Sequence, residues 1–355
     1  MVGASERWLW TRAVLGSAVY LLVAACGHQA AGEGPDAAVA GDAPMEPPPP
    51  PPPPPPQQPR CGDMPATCGP AQNEDCCQAN VVPGATFYRS YDGVGFTDMR
   101  FPATVSDFAL DRYEVTVARF RAFVEAGQGT QIMPPAAGAG AHPTLTGSGW
   151  DSAWNGFLET NKVALTKAIK CGAAYQTWTD TPGANENEPI NCVTWYEAMA
   201  FCIWDGGYLP TEAEWNFAAS GGSEQRVYPW SSPTTSKAID CTYANYFVDS
   251  PVNTFCVNGA TGGANRVGSE STKGDGRWGH ADLAGGVWEW TLDWYATAYS
   301  ATCNDCANLT PDMLRVVRGA SFLDDAGFLR ASSRGNLSPG DRANVVGLRC
   351  ARAPK

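Results

Sequence analysis

Between Phe108 and Val115 the chain reads Phe-Ala-Leu-Asp-Arg-Tyr-Glu-Val, an alternation of apolar and polar positions that predicts a strand with one buried face. Thr116 then stands where a helix cap belongs, and Val117, Phe120, Phe123 and Val124 recur at helical spacing until Gly127 supplies a stop. Pro189-Ile190-Asn191-Cys192-Val193 predicts a short strand running directly into Thr194, with Glu197 three residues on. That pair forms a capping box, in which each side chain satisfies a backbone amide left open at a helix start. The helix so opened ends at Gly206-Gly207, and Thr211 with Glu214 repeats the device to open another, carrying Trp215, Phe217 and Ala218 before Gly221-Gly222. Gly138 to Asn161 is rich in Gly, Ser and Trp and predicts irregular structure, and beyond Gly222 the pattern supports only short strands and long loops. The expectation is an α+β domain with sparse regular secondary structure.

The first sixty residues follow a different pattern. Arg7 and Arg12 flank an uncharged, largely apolar stretch, Ala13 to Ala25, which is short for a bilayer span and reads as an export signal. It ends in Leu22-Val23-Ala24-Ala25-Cys26, which resembles the lipobox of bacterial lipoproteins, where cleavage leaves a lipidated N-terminal cysteine. An ordinary cleaved signal with an incidental cysteine is the plainer reading; the placement of Cys26 at the switch from apolar to polar sequence favours lipidation. From Gly27 to Arg60 nothing can build a core, and the run Pro47 to Pro56 forms a polyproline spacer of roughly 30 Å. The chain thus divides into a signal peptide (1–25), a lipid-anchored cysteine with a proline-rich tether (26–60), a Cys-rich cap (61–81) and one large domain (82–355). The expected location is the bacterial cell envelope, with the membrane as a partner through the anchor.

Composition sharpens this. A formal net charge of -12 and a pI near 4.7 argue against nucleic acid as a partner, since a polyanion selects a basic face. Thirteen cysteines leave twelve once Cys26 is acylated, an even number that in an exported protein reads as disulfides. Cys61, Cys68, Cys76 and Cys77 crowd a polar segment, as a zinc knuckle or a bridged cap would; export favours the bridged cap. Cys303-Asn304-Asp305-Cys306 has redox spacing but lacks the strand-then-helix setting of such motifs. Proximity in sequence suggests the pairs Cys171 with Cys192 and Cys241 with Cys256.

Six ordered motifs then carry a resemblance: Asp111 to Thr116, Pro189 to Trp195, Leu209 to Trp215, Asp282 to Trp290, Arg315 to Phe322, and Gly347 to Arg352. Over roughly Val82 to Lys355 the chain resembles the formylglycine-generating enzyme, or sulfatase-modifying factor, domain family. The resemblance implies a fold related to C-type lectins, bound calcium, and a disulfide between Cys202 and Cys350. It also implies chemistry: the family's enzyme oxidises a client cysteine to formylglycine with oxygen and copper(I) held by two thiolates, the soft donors that copper(I) prefers. Counted onward from Arg318-Gly319-Ala320-Ser321-Phe322, those two positions fall on Asp324 and Leu329, and no cysteine lies between Cys306 and Cys350. Ser321 and Arg334 are expected to border the same groove. Asp324 and Asp325, as adjacent loop carboxylates, read as solvated turn residues.

For calcium the resemblance implies hard oxygen donors from Asp282, the carbonyls of Gly285 and Val287, and Glu289, with Gly286 where the family has asparagine. Asn245 and the carbonyl of Tyr246 would contribute to a further site. A non-haem iron centre needs about three histidine or carboxylate ligands, whereas the chain has His28, His142 and His280 with no local partners, so iron is disfavoured along with copper. The expected function is a calcium-stabilised binding or accessory module without formylglycine-generating activity, recognising a protein or glycan through the segments Gly138 to Trp178 and Val227 to Phe255. The alternative is a metal-dependent oxidoreductase with a non-standard site.

Overall fold

The computed structural model describes residues 64–354, so the signal peptide, Cys26, the proline run and Cys61 lie outside the described residues. Four small sheets and four short α-helices make up the regular structure among those residues. In chain order the elements are β1 (Ala79–Val82), β2 (Ala85–Tyr88), β3 (Pro102–Val105), β4 (Phe108–Asp111), α1 (Val117–Glu125), α2 (Lys162–Ala168), α3 (Trp195–Trp204), α4 (Glu212–Ala219), β5 (Phe247–Val248), β6 (Thr254–Phe255), β7 (Trp288–Trp294), β8 (Arg315–Arg318), β9 (Gly335–Leu337), β10 (Val346–Gly347) and β11 (Ala351–Arg352). Antiparallel β1, β4 and β11 form one sheet with β4 central, and β10-β7-β8-β9 form the other principal sheet. β2 pairs with β3 and β5 with β6.

The helix signals fold as the sequence implies. Thr116 accepts a hydrogen bond from Arg119 N, and both capping boxes close, at Thr194/Glu197 and Thr211/Glu214. Helices α3 and α4 are buried along nearly their whole length because they lie inside the domain, and α1 packs on α3 through Phe120, Phe123 and Phe201. The main core gathers these with Trp150, Trp178, Trp195, Trp290 and Leu348.

Three expectations change. The strand from Phe108 ends at Asp111, because Tyr113 and Glu114 turn inward to partners of their own. Pro189 to Val193 forms an isolated bridge to Thr116 in place of a strand: Cys192 takes a left-handed φ of 61°, and Ile190 N donates across to Val115 O. The Gly138 to Asn161 segment holds a short 3-10 helix, Ser152–Phe157, capped by Asp151, and α2 follows it without a strong periodic signal.

Five disulfides join described residues: Cys68–Cys76, Cys171–Cys192, Cys202–Cys350, Cys241–Cys256 and Cys303–Cys306. Cys202–Cys350 ties α3 to the C-terminal strand region across 148 residues. The Cys-rich segment is sewn onto the domain: Cys68 and Cys76 pack with Tyr113 and Val267, and Glu74 accepts from Arg112 and Tyr113. No helix among the described residues is long and apolar enough to cross a membrane.

Candidate functional site

The loop before β7, Asp282 to Val287, threads a narrow gap. Gly285 and Gly286 both have left-handed φ, and a Cβ would lie 2.4 Å from Asn245 O at the first and 2.7 Å from Glu114 Oε1 at the second. Glycine is therefore required by space as well as by conformation. Gly286 N donates to Asn245 O, and Val287 N donates to Glu114 Oε1 at 3.0 Å. Asp282 Oδ2 accepts from Gly268 N at 2.6 Å. The turn thus sets Asp282, Gly285 and Val287 beside Asn245, which the sequence assigns to a separate site, and beside Glu114.

Glu289 has other partners. Arg349 clamps both its oxygens, Nε to Oε2 and Nη2 to Oε1, each at 2.7 Å, while Trp215 Nε1 donates to Oε2. Arg349 also donates to the carbonyls of Asp111, Arg112, Ala281 and Asp282, so it binds the turn to the strand region after β4. Tyr246 O accepts from Cys256 N.

The electrostatics of this knot are unbalanced. Glu114 and Glu289 are buried, and Asp282 is half-buried, beside a single guanidinium. Burial, reinforced by the charges of Asp282 and Glu289, pushes Glu114 well above the usual carboxylate range. Burial likewise pushes Asp282 up to about 6, against the Gly268 amide and Arg349, which favour its ionised form. Glu270, which accepts from Asn265, is pushed up to about 7 by burial. Asn245 donates through Nδ2 to Gly263 O and Asn265 Oδ1, but its Oδ1 is buried without a hydrogen-bond partner. The unpartnered Asn245 oxygen and carboxyls that resist ionising are hard oxygen donors of the kind a divalent cation takes.

A second acidic group, Asp111, Asp205 and Cys350, is the only trio of metal-ligating side chains brought within close reach among the described residues. Its chemistry is already complete. Arg119 bridges Asp111 at 2.9 Å and Asp205 at 2.8 Å, Arg352 joins both, and Cys350 is disulfide-bonded.

Asp324 and Leu329, the positions the resemblance assigns to thiolates, have separate surroundings. Asp324 is only partly exposed: its Oδ2 accepts from Ser321 N, Ser321 Oγ and Trp288 Nε1, which corrects the expectation of a solvated turn carboxylate. Burial raises its pKa. Leu329 is 1% exposed and packs with Val227, Tyr228, Ala244, Tyr246 and Ala320, so an apolar cluster closes where a sulfur would stand.

Arg334 lies apart from Ser321. It donates to both oxygens of Glu212, stacks on Tyr299, and lines a cavity of about 660 Å³ with Arg89, Phe96 and Phe328, of which neither Ser321 nor Asp324 is part. His142 contacts Glu214, and His280 is buried and held neutral, pushed down to about 3 by burial and by Arg349. The Cys303–Cys306 disulfide sits beside β3, where Cys303 O accepts from Thr104 N.

Glu114, Glu270 and Arg349 are members of the knot that motif reading gave no role. For Glu114 and Arg349 the signal was a charge set inside apolar sequence, Tyr113-Glu114-Val115 and Leu348-Arg349-Cys350, where an ion must find a buried partner.

A loop-rich α+β scaffold, with two capped internal helices and a glycine turn wedged between buried carboxylates, defines a sulfatase-modifying-factor-like protein. The chain belongs to the sulfatase-modifying factor enzyme 1-like domain family, whose profile matches residues 65–354. It is 27% identical to the formylglycine-generating enzyme of Thermomonospora curvata, over 70% of this chain and 83% of that one. It is 28% identical to the inactive C-alpha-formylglycine-generating enzyme 2 of Mus musculus, over 76% of this chain and 84% of that one. Among solved structures, PvdO from Pseudomonas aeruginosa shares the fold at a TM-score of 0.51 and 19% identity, covering 77% of this chain and 93% of that one.

Proposed function

We propose that this protein is a formylglycine-generating-enzyme-like module that does not generate formylglycine and acts by binding. One observation carries the reading: Asp324 and Leu329 occupy the two positions expected to hold copper(I), the first with one carboxylate oxygen tied to Ser321 and Trp288, the second aliphatic and buried. Neither offers the soft sulfur that copper(I) requires. Similarity to a relative named as inactive points the same way. The test is incubation of the purified protein with an unmodified sulfatase peptide, copper and oxygen. The peptide cysteine is expected to remain a thiol, and aldehyde formation above a no-enzyme control would overturn the reading.

Calcium fits the knot around the glycine turn. Asn245 with the Tyr246 carbonyl, and Asp282 with the carbonyls of Gly285 and Val287, are the residues that would hold it, with Glu114 supplying further negative charge. Glu289 belongs to this set only if the ion shares it with Arg349. A bound divalent ion would neutralise buried carboxylates and fix loop backbone that no ladder holds.

We further propose that the protein is displayed at the bacterial cell envelope, anchored through lipid on Cys26, with its acidic domain excluding nucleic acid as a partner and recognising a protein or glycan. The Ala24-Ala25-Cys26 junction and the proline run support this. Cys26→Ser is expected to move the chain from the detergent-extracted membrane fraction to the soluble one. Equal membrane retention of both chains would count against the anchor.

A further inference from the structure

Arg315, the first residue of β8, is 2% exposed yet has no carboxylate within ion-pair distance among the described residues. Its guanidinium is sandwiched by Trp195 and Trp294, whose ring centroids lie 3.7 and 3.6 Å from Cζ. Nη1 donates to Leu292 O at 2.6 Å, while Nε is buried with no hydrogen-bond partner. The other described arginines buried this deeply are paired: Arg119 with Asp111 and Asp205, Arg318 with Glu212, Arg349 with Glu289. A buried cation without a paired counterion is costly, and burial lowers the Arg315 pKa, opposed only in part by Tyr196 and by Asp293, which lies beyond ion-pair distance.

The guanidinium borders a cavity of about 370 Å³ whose walls include Trp154, Phe157, Tyr196 and Trp294. Phe157 and Tyr196 stack at 4.7 Å with planes 9° apart, and Trp154 stands edge-on to Trp195. Phe157 is 58% exposed, so this aromatic wall faces outward. Asp151 sits on the rim; its Oδ1 accepts from Ala153 N at 2.9 Å, which leaves the other oxygen able to accept from a hydroxyl. The volume suits one ring, toward the small end of ligand cavities.

We propose that this cavity binds a ring-bearing carboxylate of the sugar-acid class, its carboxylate on Arg315 Nη2, which makes no hydrogen bond among the described residues, and its ring against Trp154, Phe157 and Tyr196. The anion supplies the counterion that the fold withholds, and flat aromatic walls complement the C–H faces of a saturated ring. Asp151 separates sugar acids from aryl acids, because only the former bring hydroxyl donors to it. The proposal rests on reading the chain as a binding module and gives that reading a ligand.

The test is titration of the full chain by tryptophan fluorescence and calorimetry, with glucuronate, methyl glucoside, acetate and benzoate as probes. Saturable binding of glucuronate is expected, with the uncharged glucoside and the ringless acetate each about 10-fold or more weaker. Phe157→Ala, an exposed change that the fold tolerates, is expected to weaken glucuronate several-fold. Arg315→Gln, checked for an unchanged melt, is expected to erase the preference for glucuronate over methyl glucoside. Absence of saturation by about 10 mM glucuronate, tighter binding of benzoate than of glucuronate, or unchanged affinity in Phe157→Ala would each overturn the proposal. The sulfatase-peptide assay does not involve this cavity, so the loss of formylglycine chemistry stands or falls on that assay alone, whatever the sugar acid does.

Discussion

Replacing Glu212 with alanine is expected to destabilise the domain by about 3–5 kcal/mol, the cost of stranding buried guanidinium groups. Glu212 opens α4 and is 3% exposed. Arg318 reaches its Oε1 at 2.8 Å, Arg334 donates to both oxygens, and Tyr299 OH donates to Oε1 at 3.0 Å. Burial alone would raise its pKa, but Arg318 and Arg334 outweigh burial and hold the carboxyl below its ordinary value. Loss of that charge leaves the Arg318 and Arg334 cations without the carboxylate they share. Asp293, whose Oδ2 accepts from Glu212 N, is pushed up to about 7 by burial and by the Glu212 charge. In the variant Asp293 is expected to ionise more readily and offset part of the loss. Urea denaturation of Glu212→Ala beside the parent chain measures the effect, and a loss under about 1 kcal/mol would show that the pairing is energetically idle.

Calcium is expected to raise the melting temperature of chelator-treated protein by about 5–10 °C at pH 7.5 when present at roughly a hundred times its dissociation constant. The rise is expected to shrink toward pH 5. Asp282 has a folded pKa of about 6 and Glu270 about 7, both above their ordinary values. Between the ordinary and the raised value the folded protein binds more protons than the unfolded chain. Their contribution to stability is therefore present on the acid side and lost as pH rises through the folded pKa. Glu188 and Asp293, each raised to about 7, act in the same sense, whereas His280, depressed to about 3, acts oppositely below its ordinary value. Protons and a divalent ion compete for the same carboxylates, so the calcium increment isolates the knot from these other groups. A melt insensitive to chelator and calcium at both pH values would remove calcium from the account.

Helices α3 and α4 were legible because their starts are written locally: one threonine and one glutamate three residues apart fix each capping box whatever lies around it. Their burial was less legible, since α3 and α4 are apolar on most faces and periodicity says only that they lie inside. The short strands resisted reading for the same reason in reverse. Two-residue pairings such as Val346–Gly347 beside Trp288–Glu289 depend on partners nearly sixty residues away. At the site, the ordered motifs marked the glycine turn, but the partner of Glu289 is set by three-dimensional geometry, because Arg349 reaches it from 60 residues away. The sequence likewise places Ser321 and Arg334 thirteen positions apart without showing that β8 and β9 direct them to different surroundings. The unpaired state of Arg315 was invisible, since only a folded structure shows that no carboxylate among the described residues comes within ion-pair distance.

The packing of Leu329 would resist a thiolate at that position. Exchanging that side chain for a smaller thiol would hollow out a filled region at a cost of roughly 1–3 kcal/mol, and a solitary sulfur gains no grip on a two-coordinate ion in return. Asp324 would have to change in the same step, giving up its bonds to Ser321 and Trp288.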